Sequence, residues 1–185
     1  MPAKMAIRIS RYFALFVALA FAACSCYSHI SKGRSKLVLW EPRHAVLDHL
    51  RDEINASYGF RDGVPRINLG PCGRFARDFR EQWNARFPDK VHIAFVMSDD
   101  GATCHHVLLK LPDGNYYDGG NGVMPAKKLS ELYANSHVDE MIDFDPKLLD
   151  KRSYGLGRSY PVCSNYSDTL TNKLIRNNLE RLAKL

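Results

Sequence analysis

HHVLLKLPDGNYYDGG, His105 to Gly120, is the stretch on which the reading of this chain turns. HHVLLKL (105–111) reads as a strand, Pro112-Asp113-Gly114 as a hairpin turn, and NYYD (115–118) as the returning strand. Gly119, Gly120 and Gly122 close it. With a loop of 112–114, residue 111 pairs with 115 and 108 with 118. His106 and Asp118 then fall on one face as diagonal neighbours. Val107, Leu109 and Leu111 take the other face and read as core. A slip of one residue would instead bring Asp118 to the face of His105.

Working outward, VHIAFVMS (91–98) reads as a preceding strand, joined through a turn at Ser98-Asp99-Asp100-Gly101. Before it, Phe75, Phe79, Trp83 and Phe87 recur every four residues and predict one face of a helix, which Pro88 ends. Pro42 suits the first turn of an earlier helix bearing Ala45, Val46, Leu47, Leu50 and Ile54. Gly59, Gly63 and Pro65 mark residues 55–66 as loop. Pro125 opens a further helix through Tyr133, and residues 137–160 read as irregular or short elements. A last helix begins near Ser167 or Thr169 and carries Leu170, Leu174, Ile175, Leu179 and Leu182. Helices, then an antiparallel meander, then helices make the fold class α+β.

The candidate chemistry begins at Cys72, in the first turn of the Phe75 helix. Helix N–H groups and the positive end of the dipole favour a thiolate there. The same N–H groups suit an oxyanion. A cysteine in this place is equally a small buried hydrophobe or half a disulfide. A thiol nucleophile needs a base, and the base needs an orienting group. His106 and Asp118 supply both if the hairpin register holds. Cys104, His105 and His106 are consecutive and converge poorly on one zinc, and no C-x-x-C or H-x-x-x-H accompanies them. The sequence therefore predicts no metal and no cofactor. Tyr116 and Tyr117 alternate across their strand, one toward the core and the other toward a cleft.

A cysteine opening a helix (GPCGRFARDF), a histidine opening a strand and an aspartate ending the next strand (HHVLLKLPDGNYYDGG) resemble the transglutaminase-like branch of the papain-like cysteine enzymes. The resemblance covers roughly residues 68–122. It implies a nucleophile helix packed on a small antiparallel sheet with flanking helices. It also implies a Cys72–His106–Asp118 triad acting on a peptide, protein or other amide-containing substrate, by hydrolysis or acyl transfer. The strand departs from the family in carrying Val107, not an aromatic residue, after the histidine. Two other readings stay open: a catalytically silent binding or structural module of the cell envelope, and a secreted effector using the same triad.

The chain has 185 residues, 45% hydrophobic and 25% charged, which suits a single domain with its own core. Its net charge of +6 is concentrated early: Lys4, Arg8 and Arg11 precede any acid. Behind them YFALFVALAFAA (12–23) has the length of a secretory apolar segment. Residues 1–23 are read as a signal, with Ala20 and Ala22 as small residues of a cleavage site, or as a lipoprotein signal ending at Cys24. Residues 24–38 read as a tether and 39–185 as the domain. Without the leader the chain is only mildly positive, and no nucleic-acid partner is expected. The protein is expected to be exported: periplasmic, secreted or tethered to a membrane through its N-terminus. Of five cysteines, Cys24 and Cys26 lie at the signal junction. The remaining three are an odd number in an oxidising compartment, and pairing Cys104 with Cys163 leaves Cys72 free. Mass analysis of the N-terminus from the native host is expected to find a product lacking residues 1–22 or 1–23. A product beginning at Met1 would remove the cleavage assignment.

Overall fold

A computed structural model describes residues 40–140 and 166–185. The leader, the tether and Cys163 lie outside the described residues, and so does the Cys104–Cys163 pairing. Pro42–Leu185 forms one compact unit. Helix α1 covers residues 40–58. A small hairpin follows, of β1 (Phe60–Arg61) and β2 (Val64–Pro65), then a 3-10 turn at Arg66–Asn68. Helix α2 is Cys72–Arg86. Strands β3 (His92–Ser98), β4 (Cys104–Lys110), β5 (Tyr116–Asp118) and β6 (Gly122–Met124) come next. Helix α3 (Ala126–Leu132), strand β7 (Ser136–Glu140) and helix α4 (Asp168–Leu182) complete the order. The class is α+β: the main sheet is β6-β5-β4-β3-β7, antiparallel throughout.

The β4–β5 hairpin has the expected register. Leu109 pairs with Tyr117 and Lys110 with Tyr116, and the Leu111 N–H donates to Asn115 O at 2.8 Å. Gly114 takes φ 97°, the left-handed conformation that this turn needs. On the β3 side, Val96 pairs with His106 but Met97 pairs with Cys104. His105 is therefore an extra, exposed residue in a β-bulge.

Helix α2 forms because its apolar residues share one stripe. Phe75, Phe79 and Trp83 are all buried. Their rings run in series, 5.9 Å between the first pair and 5.7 Å between the second, and Phe75 and Phe79 both meet Tyr117 of the sheet. The helix stops at Phe87, which is extended (φ −112°, ψ 144°), as a residue before proline prefers. The Asn84 side chain then bonds both the N–H and the carbonyl of Val91 and directs the chain into β3.

The second face of the sheet is also core. Ala94, Val96, Leu108, Tyr116 and Met124 pack with Leu129 of α3. Both tyrosines are thus buried, Tyr117 toward α2 and Tyr116 toward α3.

Three further expectations need correction. The loop read from Asn55 starts later, because α1 continues to Tyr58, whose hydroxyl contacts Thr171 at 2.8 Å. Inside that stretch Asp62 and Gly63 both take positive φ and close a two-residue hairpin, as Asp-Gly commonly does. Residues 136–140, at the start of the stretch read from 137 as irregular or short elements, are the short edge strand β7; Val138 is their only apolar side chain, so no alternation announces them. On α4 the buried face is Thr171, Ile175, Asn178, Leu179 and Leu182, and Leu170 is exposed. Polar contacts set that rotation: Asn172 bonds Asp78 and Gln82, and Arg74 pairs with Asp168. Replacing Phe79 with alanine should cost about 3–5 kcal/mol, read as a lower urea midpoint; a loss under about 1 kcal/mol would displace this stripe as the centre of the core.

Candidate active site

Asp118 ends β5, and its carboxylate is buried (1% exposed). Oδ2 accepts from His106 Nε2 at 2.9 Å and from Asn121 Nδ2 at 3.0 Å. Oδ1 accepts from the backbone N–H groups of Gly120 (2.8 Å) and Asn121 (2.6 Å) and from Asn68 Nδ2 (3.1 Å). A buried carboxylate stays ionised only with such compensation. Burial pushes its pKa up, but the His106 bond and charge and the Asn121 donors outweigh that and hold it below the usual range.

The Gly119–Gly120 pair makes this packing feasible. A Cβ on Gly119 would sit 3.1 Å from the Phe75 ring. One on Gly120 would lie 2.6 Å from both Asn68 Nδ2 and Pro65 Cβ. From α1, Asn55 bonds the Gly120 carbonyl and Asp48 accepts from the Val123 N–H, so the loop is tied at both ends.

His106 is fully buried on β4, beside Val96 of β3 and just beyond the end of β5. Its Nε2–H points to Asp118, and Nδ1 is buried and closes no hydrogen bond of good geometry. The Tyr133 ring, at the end of α3, stacks on the imidazole with centroids 5.6 Å apart and planes 12° from parallel. His105, the alternative base, is exposed on the bulge.

Cys72 is the first residue of α2, a free thiol and 2% exposed. Pro71 offers no side-chain cap and the first turn has no acid, so the helix end keeps its unpaired N–H groups and its positive potential. The sheet adds one more donor. The Leu111 N–H points toward β5, and by alternation so does that of Val107. Strand β5 ends opposite Leu108, and the Val107 N–H serves the Cys72 sulfur instead.

Thiol and imidazole shift each other. Burial raises the Cys72 pKa, but the interaction with His106 and the Val107 N–H bring it below its ordinary value. Burial lowers that of His106, while Asp118 and Cys72 together raise it to about 10. Both shifts favour a thiolate–imidazolium pair.

The structure thus brings Cys72, His106 and Asp118 together. Asn68, Asn121, Tyr133 and the Val107 N–H join them without having been singled out in the sequence. Asn121 was within reach, since a carboxylate followed by Gly-Gly-Asn is a local side-chain-to-backbone turn. Asn68 and Tyr133 come from distant elements and carry no local signal. Among the described residues no group of three or more histidines, cysteines and acids is placed to hold a metal, and no helix is long and apolar enough to cross a membrane. Comparison of the chain with family models, with curated proteins and with solved structures finds no match.

Gly120→Ala should displace Asn68 and cost about 1–3 kcal/mol through overpacking. A depressed carboxylate pKa contributes stability above the unfolded value, lost as pH falls through the folded one. Removing a donor from Asp118 should therefore move the midpoint of acid unfolding to higher pH. An unchanged midpoint would show that Asn68 does not hold the carboxylate.

Proposed function

We propose that this protein is a cysteine-dependent amide hydrolase or acyltransferase in which Cys72 is the nucleophile, His106 the proton carrier and Asp118 its orienting partner. The observation that carries the reading is the single buried cluster in which His106 bonds Asp118 and interacts with a free thiol at an uncapped helix start. The fold of the proposal is papain-like, of the transglutaminase-like branch, and its cellular setting is export. The sequence features for both are the 68–122 pattern and the N-terminal leader.

The chemistry follows from the geometry. The Cys72 thiolate attacks the substrate carbonyl carbon, forming a C–S bond, and the carbonyl electrons move onto oxygen. The free N–H groups of the α2 start are suited to hold that oxyanion. As the oxyanion collapses, the C–N bond breaks and His106 delivers its proton to the departing amine. The resulting thioester is released by water, giving an acid, or by a second amine, giving a new amide; His106 takes the proton of the incoming nucleophile. Asp118 keeps Nε2 protonated and leaves Nδ1 for the exchange.

A catalytically silent module is favoured by one observation, the near-complete burial of Cys72, His106 and Asp118. Its disulfide-bonded form fits less well, because Cys72 is a free thiol in the fold.

Alkylation of Cys72 separates the two. The wild-type rate should stay high near pH 6, because the thiolate forms below the free-cysteine pKa of about 8.5. His106→Ala should move the profile up toward that value. Asp118→Ala should move it by less, since the base remains but loses its orientation. Slow reaction at every pH, or a profile that His106→Ala leaves in place, would end the enzyme reading in favour of the module.

A further inference from the structure

We propose that Tyr133 is a positioning residue for the reaction: its ring lies on one face of the His106 imidazole and favours the charged form that carries the proton. This rests on the nucleophile reading above, in which an imidazolium delivers that proton, and adds a residue that acts through it.

The fold fixes the ring from two sides. Helix α3 is anchored by Leu129, which is buried with Val96, Leu108 and Tyr116. The Tyr133 N–H closes the helix by donating to Leu129 O at 3.0 Å, and the Tyr133 side chain packs against the same cluster. Two residues on, Asn135 takes φ 59° and the chain enters β7, where Ser136 pairs with Ser98. Val96 of the cluster is the strand partner of His106, so the ring that rests on the cluster also reaches the imidazole. The two rings stack with centroids 5.6 Å apart and planes 12° from parallel.

The stack complements the other contacts of His106. Hydrogen bonds to imidazole nitrogens lie near the ring plane, so a ring on the face does not compete with Asp118 at Nε2. An aromatic face carries negative partial charge and attracts a cation within about 6 Å of its centroid, more strongly away from water. It gives the neutral imidazole no such attraction. The groups facing His106 are Asp118 of β5, Cys72 of α2 and Tyr133 itself, while Val96 on the β3 side is apolar. On β4, Cys104 donates to the His106 carbonyl at 3.4 Å. The phenol stays neutral, because burial and the negative charges of Asp118, Cys72 and Cys104 raise its pKa. Tyr133 therefore supplies an electron-rich face without adding a further charge.

The test is an NMR titration of His106 in the full chain labelled at histidine, the signal being assigned by its loss in His106→Gln. The wild-type imidazolium should lose its proton at about pH 10. Tyr133→Phe keeps the ring and should leave that value in place. Pentafluorophenylalanine at the same position keeps the shape but reverses the charge of the face, and should lower the value by about one pH unit. Tyr133→Leu, which removes the ring, should lower it in the same direction. The acid limb of Cys72 alkylation should not move in any of them, because the imidazolium is present on both sides of that ionisation. Equal titration of His106 with Phe and with the fluorinated ring would overturn the proposal and reduce Tyr133 to packing. A fall in Tyr133→Phe as large as in Tyr133→Leu would overturn it too, by assigning the effect to the hydroxyl. Slow alkylation of the wild type at every pH would instead overturn the nucleophile reading, and with it any part for Tyr133 in a reaction.

Discussion

Asp118 carries a negative charge where water does not reach it, and much of the surrounding chain is arranged around that requirement. Among the described residues its two oxygens accept from His106, Asn68, Asn121 and two backbone N–H groups. Three separate constraints deliver these donors. The β4–β5 register delivers His106, the 3-10 turn before α2 delivers Asn68, and the Gly-Gly-Asn loop delivers the rest. Helix α1 in turn fixes that loop through Asn55 and Asp48. An unpaired buried carboxylate would take up a proton or open the fold. Correct assembly of these elements and ionisation of Asp118 are therefore one event.

The charge next to it is balanced in the same way. An imidazolium beside one carboxylate and one thiolate leaves a negative excess in the interior. Coulombic attraction alone does not make such a group of ions stable, because desolvation opposes it. Oriented dipoles do the remainder: the start of α2, the Val107 N–H and the loop N–H groups are fixed before any charge arrives. The aromatic stripe of α2 supplies the rigidity. Phe75 packs against both Tyr117 and Gly119, so the helix that presents Cys72 also presses on the loop that holds Asp118.

Legibility in the sequence follows the range of the interactions. The four-residue spacing from Phe75 to Phe87 and the Pro-Asp-Gly turn are local, and they place α2, β4 and β5 with the right pairing. Cys72, His106 and Asp118 could be named on that basis. Strand β7 could not, since an edge strand with one apolar residue shows no alternation. The short β1–β2 hairpin carried a readable Asp-Gly signal but only two-residue strands. Asn68 and Tyr133 reach the site through tertiary packing alone. Burial of the sheet on both faces also escaped the pattern: Leu108 and Leu109 are adjacent and both inside, which period-two reading does not anticipate.

The bulge at His105 divides β4 into two zones of independent register. On the β3 side the pairing shifts register at the bulge, between Val96–His106 and Met97–Cys104, and on the β5 side the turn at 112–114 sets the pairing of Leu109 and Lys110. An unpaired residue between the two zones can absorb a mismatch. A one-residue insertion in the first turn could thus be accommodated at the bulge while His106 keeps its place. The same insertion in the second turn has no such buffer, and Asp118 would rotate to the opposite face of the sheet. Two loops of similar size thereby differ in their tolerance of length variation, and related chains that keep this cluster should vary in length at the first and hold it constant at the second.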